Sequence, residues 1–396
     1  MTAPPTPNSV AAVDIAALHR WLGDHTQHLV DDLVALAEHE TPSDDPALLD
    51  QGVEYFQRWV RQRLGEPASL LRHRSDEYGD VLVLDYAGCT DRRVTALAHY
   101  DTVFSAGTLR SWPVTVEQDR VRGPGVFDMK AGLVQVVWAL RVMTELGIAR
   151  PAVRLVLNGD EEIGSPFSRP LLEEASKDAD AVLVFEASAD AAVKTARKGV
   201  GLFRVEVTGA ETHAGLDPTA GASAVGEIAH MVTTLHGAAD LDRGTSINVG
   251  TLHGGSRANV VAGHACADVD VRVTSGEEMR RVDEVLAALR ARDPRADVRV
   301  LGEWNRPVMP RDEGVGAMFA LARAAAEQLG VDLREASVGG ASDGNFVAAM
   351  GIPVLDGLGA IGAGAHARHE HVTITGMVER AAVAAGVIGA FAAPPR

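Results

Sequence analysis

The sequence predicts an α/β fold in which a domain with a largely parallel sheet is interrupted by a smaller ferredoxin-like insert. Three observations carry this expectation. Short apolar runs alternate with amphipathic helical stretches through the first half of the chain. From about residue 198 the order becomes strand-helix-strand-strand-helix-strand. After Arg306 the helix–strand alternation resumes.

Taken in order, residues 81–85, 94–98, 153–158 and 181–185 are short apolar runs that read as buried strands. Between the second and third, residues 129–146 carry Leu133, Val136, Val137, Leu140, Met143 and Leu146 at helical spacing, and Gly147 stops the pattern. In the insert, 201–207 alternates like a half-exposed strand. A helix follows through Val225, Ile228, Ala229, Val232 and Leu235, then strands at 246–252 and 265–273. A second helix (Val282, Val285, Leu286, Leu289) and a strand at 296–301 complete it. A helix over 315–329, a strand at 352–355 and a closing helix after Thr375 return to the first pattern. The expected division is residues 1–197 and 308–396 as two parts of one domain, with 198–307 inserted.

Composition narrows the function classes. With 396 residues, 46% hydrophobic and 23% charged, the chain is long enough for two cores. A formal charge of −17, spread along the chain, argues against nucleic acid or an anionic membrane as partner. It also requires a local basic pocket for any anionic substrate. The N-terminal stretch lacks the basic and apolar regions of a signal peptide, and no run reaches the roughly 18 apolar residues of a membrane span. Cys89 and Cys266 stand alone and far apart, which points to a reducing cytoplasm rather than a disulfide framework.

The candidate chemistry falls at strand ends. His99 opens HYDTV (99–103), Asp128 lies in GPGVFDMKAG (123–132), Glu161 and Glu162 in NGDEEIGS (158–165), and Glu186 in FEAS (185–188). Groups at the carboxyl ends of parallel strands converge on one crevice. Imidazole nitrogen and carboxylate oxygen are zinc ligands, and one carboxylate can bridge two ions. Adjacent Glu161 and Glu162 cannot point the same way, so one can bind metal while the other acts as general base on water. Singly these signals are weak: a histidine at a strand end is ordinarily structural, an Asp before a helix an N-cap, and a Glu pair a solvated surface. Their ordered combination is the signal. The run Gly357 to Gly362 matches GxGxxG, but no dinucleotide-type helix or acidic partner follows it, and it reads as flexible backbone beside the centre. The GGASDG loop (339–344) fits either a substrate-facing loop or a plain turn.

Together with the late GAHARHEHV (364–372), these segments resemble the M20 family of metallopeptidases, in its glutamate carboxypeptidase branch, from about residue 90 onward. The resemblance implies a zinc-exopeptidase-like catalytic domain with a lid and dimerisation domain inserted. It implies two Zn²⁺ per subunit, with Co²⁺ or Mn²⁺ able to substitute. His99, Asp128 and Glu186 would hold one ion, and Asp128 would bridge to a second held by Glu162 and His366. His366 is selected over His369 and His371 because the family ligand stands four or five residues before a Glu. Glu161 matches the general base, and Asp101 the carboxylate that orients the His99 ring.

The resemblance also implies that His213 (in ETHAG, 211–215) and Asn259 (in RANVV, 257–261) reach a partner subunit's site across a lid–lid homodimer, steadying the scissile carbonyl. Arg272 and Arg306 match positions that grip a substrate carboxylate, with a surface ion pair as the alternative for each. The segment 191–196, mostly small and apolar, departs from glutamate-preferring relatives. The expected activity is amide or peptide hydrolysis releasing a C-terminal amino acid, glutamate first, from an N-acyl or short peptide substrate. The alternatives are a biosynthetic deacylase, of acetylornithine or succinyl-diaminopimelate type, and a metal-free binding protein.

Overall fold

The computed structural model describes residues 4–392. Its contacts divide the chain into two compact units. The first comprises 4–196, 311–338 and 342–392, and the second 197–310 with 339–341.

The first unit opens with helices α1 (Pro7–Val10), α2 (Ile15–Asp24), α3 (Thr26–Ala37) and α4 (Pro46–Leu64), followed by strands β1 (Ser69–His73), β2 (Val81–Tyr86) and β3 (Arg93–His99). Then come α5 (Thr108–Ser111), β4 (Thr115–Glu117), β5 (Arg120–Arg122), α6 (Ala131–Glu145), β6 (Ala152–Asn158), α7 (Arg169–Ser176), β7 (Ala181–Val184) and β8 (Val193–Arg197). Buried helix faces are set by spacing: in α6 Leu133, Val136, Val137, Leu140 and Met143 are all buried. Leu146, expected to close that helix, lies past its end and is 39% exposed.

The second unit is β9 (Gly199–Thr208), α8 (Ala224–Gly237), β10 (Ser246–Gly254), β11 (His264–Val273), α9 (Gly276–Ala288) and β12 (Asp297–Arg306). Its antiparallel sheet runs β10-β11-β9-β12, the ferredoxin-like order, over a core of its own that includes Val205, Ile228, Val271 and Val282. Ser223 and Ser275 cap its two helices by accepting from Gly226 N and Glu278 N.

The chain returns to the first unit as α10 (Glu313–Glu327), β13 (Glu335–Val338), α11 (Gly344–Ala349), β14 (Val354–Leu355), β15 (Gly362–Ala363), β16 (His371–Thr373) and α12 (Ile374–Ala390). The main sheet has the order β1-β2-β6-β3-β7-β14. β6, β3, β7 and β14 are mutually parallel, whereas β1 and β2 are antiparallel neighbours at one edge. The direction of β2 could not be read from its apolar run, because a buried strand shows the same pattern whichever way its neighbour runs, and β1 has no buried residue. Helices α6 and α12 pack together in the core, and Gly132 lets α6 reach the sheet: a Cβ there would lie 1.9 Å from the Phe185 carbonyl oxygen.

Candidate metal centre

β6, β3 and β7 lie side by side and parallel, so their carboxyl ends share one edge of the sheet. β3 ends on His99, β6 leads into Glu161 and Glu162, and β7 leads into Glu186. Asp128 arrives separately, on an irregular turn (Val126–Lys130) ahead of α6. The helix predicted from residue 129 therefore begins at Ala131, and no side chain caps it. Asp128 has extended dihedrals (φ −117°, ψ 94°), so its carboxylate is turned to the site instead of serving as an N-cap.

His99 Nδ1 faces Asp101, with the backbone carbonyl at 3.1 Å and carboxylate Oδ1 at 3.3 Å. Both are acceptors, which assigns the hydrogen to Nδ1 and leaves Nε2 for the centre. Nε2 lies 3.3 Å from both Asp128 Oδ1 and Glu186 Oε1. On the other side His366 Nε2 lies 3.3 Å from Asp128 Oδ2 and 3.0 Å from Glu162 Oε2. Asp128 thus gives one oxygen to each histidine. Ligand atoms of His99, Glu161 and Glu186 fall within 4.8 Å of one another, as do those of His99, Asp128 and Glu162. His371 Nδ1 faces the His369 carbonyl, at 3.1 Å.

Burial works against a charged His99, but contacts with Asp101, Asp128 and Glu186 overcome it and hold the ring's pKa well above the usual imidazole range. Asp128 and Glu162 push His366 up to about 10. Asp128, despite burial, is held well below the usual carboxylate range by His366 and His99. Burial pushes Glu162 up to about 7, against the pull of His366 and with the charge of Asp128 behind it. Buried acids sharing protons in this way have the chemistry of a cation site. Glu162 Oε1 is buried and has no hydrogen-bond partner among the described residues. Imidazole nitrogens, a two-sided carboxylate and an orphaned carboxylate oxygen fit a metal-binding cluster.

Ser43, Glu370 and Lys194, to which sequence reasoning gave no supporting role, act on the centre. Asp101, fully buried, also accepts from Ser43 Oγ at 2.7 Å and from the backbone N–H of Glu161 and Glu162 at 3.2 and 3.1 Å. Ser43 left no signal in the sequence. Glu370, the acid that selected His366, accepts from the N–H groups of Phe127 (2.7 Å), Asp128 (3.0 Å) and Gly125 (3.2 Å). It ties the Asp128 turn to the loop that carries His366, and burial pushes it up to about 7. Lys194 lies in the segment read as small and apolar, yet its charge is among those that hold Asp128 down. The glycine run at 357–362 is not slack. A Cβ at Gly359 would lie 2.2 Å from the Phe185 carbonyl oxygen and 2.6 Å from that of Glu186, and its N–H donates to Glu186 O at 2.9 Å.

The remaining candidates belong to the second unit. His213 is exposed, and its Nδ1 accepts from Gly215 N and Leu216 N at 3.1 and 3.2 Å. Its loop pairs with that of Asn259 through Ala214 N to Asn259 O (2.9 Å). Arg272 forms a two-pronged pair with Asp270, both contacts at 2.8 Å, which is the ion-pair alternative. Arg306 is buried at the end of β12, where Nη1 donates to Asn305 Oδ1 at 3.2 Å.

Comparison with known proteins decides the family. Residues 96–390 match the model of peptidase family M20/M25/M40. The chain belongs to this family. Carboxypeptidase G2 of Pseudomonas sp. (strain RS-16) is 31% identical over 320 residues, covering 78% of this chain and 76% of that protein. Acetylornithine deacetylase of Myxococcus xanthus is 28% identical over 222 residues, 53% and 57% of the two chains. In solved structures the fold is similar to an M20 family metallo-carboxypeptidase from Sulfolobus solfataricus (TM-score 0.72, 15% identity, 92% of this chain and 99% of that one). It is also similar to aminopeptidase PepT from Bacillus cereus (TM-score 0.75, 19% identity, 93% and 99%). This M20 chain is accordingly a hydrolase of the metallo-carboxypeptidase and amidohydrolase class. No helix among its described residues is long and apolar enough to cross a membrane.

Proposed function

We propose that this chain is a two-zinc hydrolase that cleaves an amide bond beside a free carboxylate, releasing a C-terminal amino acid, glutamate first. The observation that carries the reading is the division of Asp128 between the His99–Glu186 side and the His366–Glu162 side. His99 and Glu186 would hold one ion and Glu162 and His366 the other, with Asp128 shared. Bound zinc would polarise the scissile carbonyl and acidify the attacking water.

Glu161, beside His99 and Glu186, takes a proton from water as its oxygen bonds to the carbonyl carbon. The same carboxyl returns that proton to the amine nitrogen as the C–N bond breaks. Asp101 keeps the His99 tautomer and holds the backbone of Glu161 and Glu162 in register. Arg272 and Arg306 are assigned to the substrate carboxylate, with Asp270 sharing Arg272. His213 and Asn259 are assigned to the carbonyl oxygen in the site of a partner subunit, which makes the enzyme a homodimer through the inserted unit. A cytoplasmic setting accords with two unpaired cysteines, one exposed and one buried.

Similarity to acetylornithine deacetylase sustains the biosynthetic deacylase as a second reading. Metal analysis combined with kcat/KM for N-acyl-glutamate, N-acyl-ornithine and N-acyl aromatic amino acids tests the proposal. Two zinc ions per chain and at least about ten-fold preference for N-acyl-glutamate support it, a gap of about 1.4 kcal/mol in transition-state binding. Preference for ornithine moves the chain to the deacylases, and absence of both metal and turnover returns it to a binding protein.

A further inference from the structure

The chain leaves the centre at Glu186 and turns back into β8. A two-residue hairpin turn joins these legs. Ala189 and Ala192 exchange both backbone hydrogen bonds, at 2.9 and 2.8 Å. The central residues Asp190 and Ala191 have φ of 48° and 61°. Positive φ at both positions is the signature of a type I′ turn, for which Asn-Gly is the favoured pair. Asp tolerates this region through its short polar side chain, but alanine has no such relief. The turn's own residues therefore do not account for its shape.

Two arginines from distant parts of the chain hold its two carbonyls. Arg334 Nη2 donates to Asp190 O at 2.8 Å, and Arg380 Nη2 donates to Ala191 O. Arg380 stands on α12 and is 1% exposed. Its Nε and Nη1 are buried without hydrogen-bond partners among the described residues, and the nearest carboxylate oxygen, of Glu379, is 3.8 Å from Nε. Burial pushes its pKa down. A buried guanidinium left this poorly paired is destabilising in itself, so its retention calls for a return. Among the described residues its single side-chain hydrogen bond goes to this turn.

We propose that Arg380 is a positioning residue that holds the left-handed turn at Asp190–Ala191 and thereby sets Glu186 against the metal centre. The inference rests on the reading of Glu186 as a metal ligand. The legs have backbone anchors of their own, Gly359 N to Glu186 O and Lys194 N to Asp356 O at 2.8 Å. The turn fixes the register between them, so its loss loosens the centre without dismantling it.

The test uses the full chain loaded with zinc and reads zinc affinity by chelator competition alongside thermal stability. Arg380→Met should weaken one of the two zinc ions by about ten-fold or more, the scale for losing a support outside the ligands. Adding Asp190→Asn and Ala191→Gly, the pair that favours a type I′ turn unaided, should restore that affinity to within about two-fold. Unchanged zinc affinity in Arg380→Met, at whatever melting temperature, overturns the inference alone. So does a turn pair that restores stability but not affinity. If Arg380→Met does not fold, Arg380→Lys with and without the turn pair is held to the same outcomes. A wild-type chain without stoichiometric zinc overturns the functional reading and this inference with it.

Discussion

Replacing Glu370 by Gln tests the support of the centre without touching a proposed ligand. The carboxylate accepts three backbone N–H groups, from Phe127 and Asp128 at Oε1 and from Gly125 at Oε2. Glutamine keeps one acceptor oxygen, so an amide NH₂ then faces the Gly125 N–H. One buried donor loses its partner, at a cost of about 1–3 kcal/mol, and the two surviving bonds lose charge assistance, about 1 kcal/mol each. The sum, about 3–5 kcal/mol, bears on the conformation that points Asp128 into the site. Part is recovered because the loop relaxes when no metal is bound. The expected result is a fall of about 10–100-fold in zinc affinity. Both ions should be affected, since Asp128 faces both histidines. Chelator competition on folded protein, with circular dichroism as a control, measures this. Affinity within two-fold of wild type would refute the claim that Glu370 holds the Asp128 turn in place.

Other expectations follow from the same geometry. Glu161→Gln should lower kcat by at least about 10²-fold while both metals stay bound; loss of a metal by atomic absorption would make Glu161, not Glu162, the ligand. Asp128→Ala should empty both metal sites and His366→Ala mainly one, whereas His369→Ala and His371→Ala should keep wild-type metal content; depletion in either of those would move the ligand. Mixing inactive His213→Ala and Glu161→Ala should restore up to about half of one dimer's activity if the site is shared between subunits, and no recovery after proven subunit exchange would remove His213 from catalysis. In the inserted unit, hydrogen bonds from Arg281 and Thr245 hold Glu278 down to about 2, below its ordinary 4.5. A depressed carboxyl adds stability that is complete above pH 4.5 and lost as pH falls through about 2. Arg281→Gln should therefore lower stability at pH 7 and flatten the acid limb of the unfolding curve, and an acid limb identical to wild type would count against the assignment.

Much of the architecture was legible along the chain because it depends on local period. Apolar residues at helical spacing marked α6, and alternation with turn residues marked the βαββαβ insert. Strand ends also put His99, Glu161, Glu162 and Glu186 on one edge once the strands were read as parallel. What stayed hidden was relational. The antiparallel direction of β2 leaves no mark on its apolar run, β1 beside it is largely exposed, and the pairing of Arg272 with Asp270 depends on rotamers rather than residue type.

The sequence by itself determined the ingredients: His99 and four acids of metal-binding type, set at the ends of strands and at the mouth of a helix. Those are matters of residue chemistry and of periods of two and 3.6, which neighbours in the chain can specify. Only the tertiary structure decided that Asp128 gives one oxygen to His99 and the other to His366, 238 residues further on by their numbers. It alone decided that Glu370 closes on the Asp128 turn and that Arg380 reaches the turn beyond Glu186. Hydrogen bonds and ion pairs require positions matched to a fraction of an ångström. Between residues so distant in sequence, only the packing of the elements that carry them can supply that match.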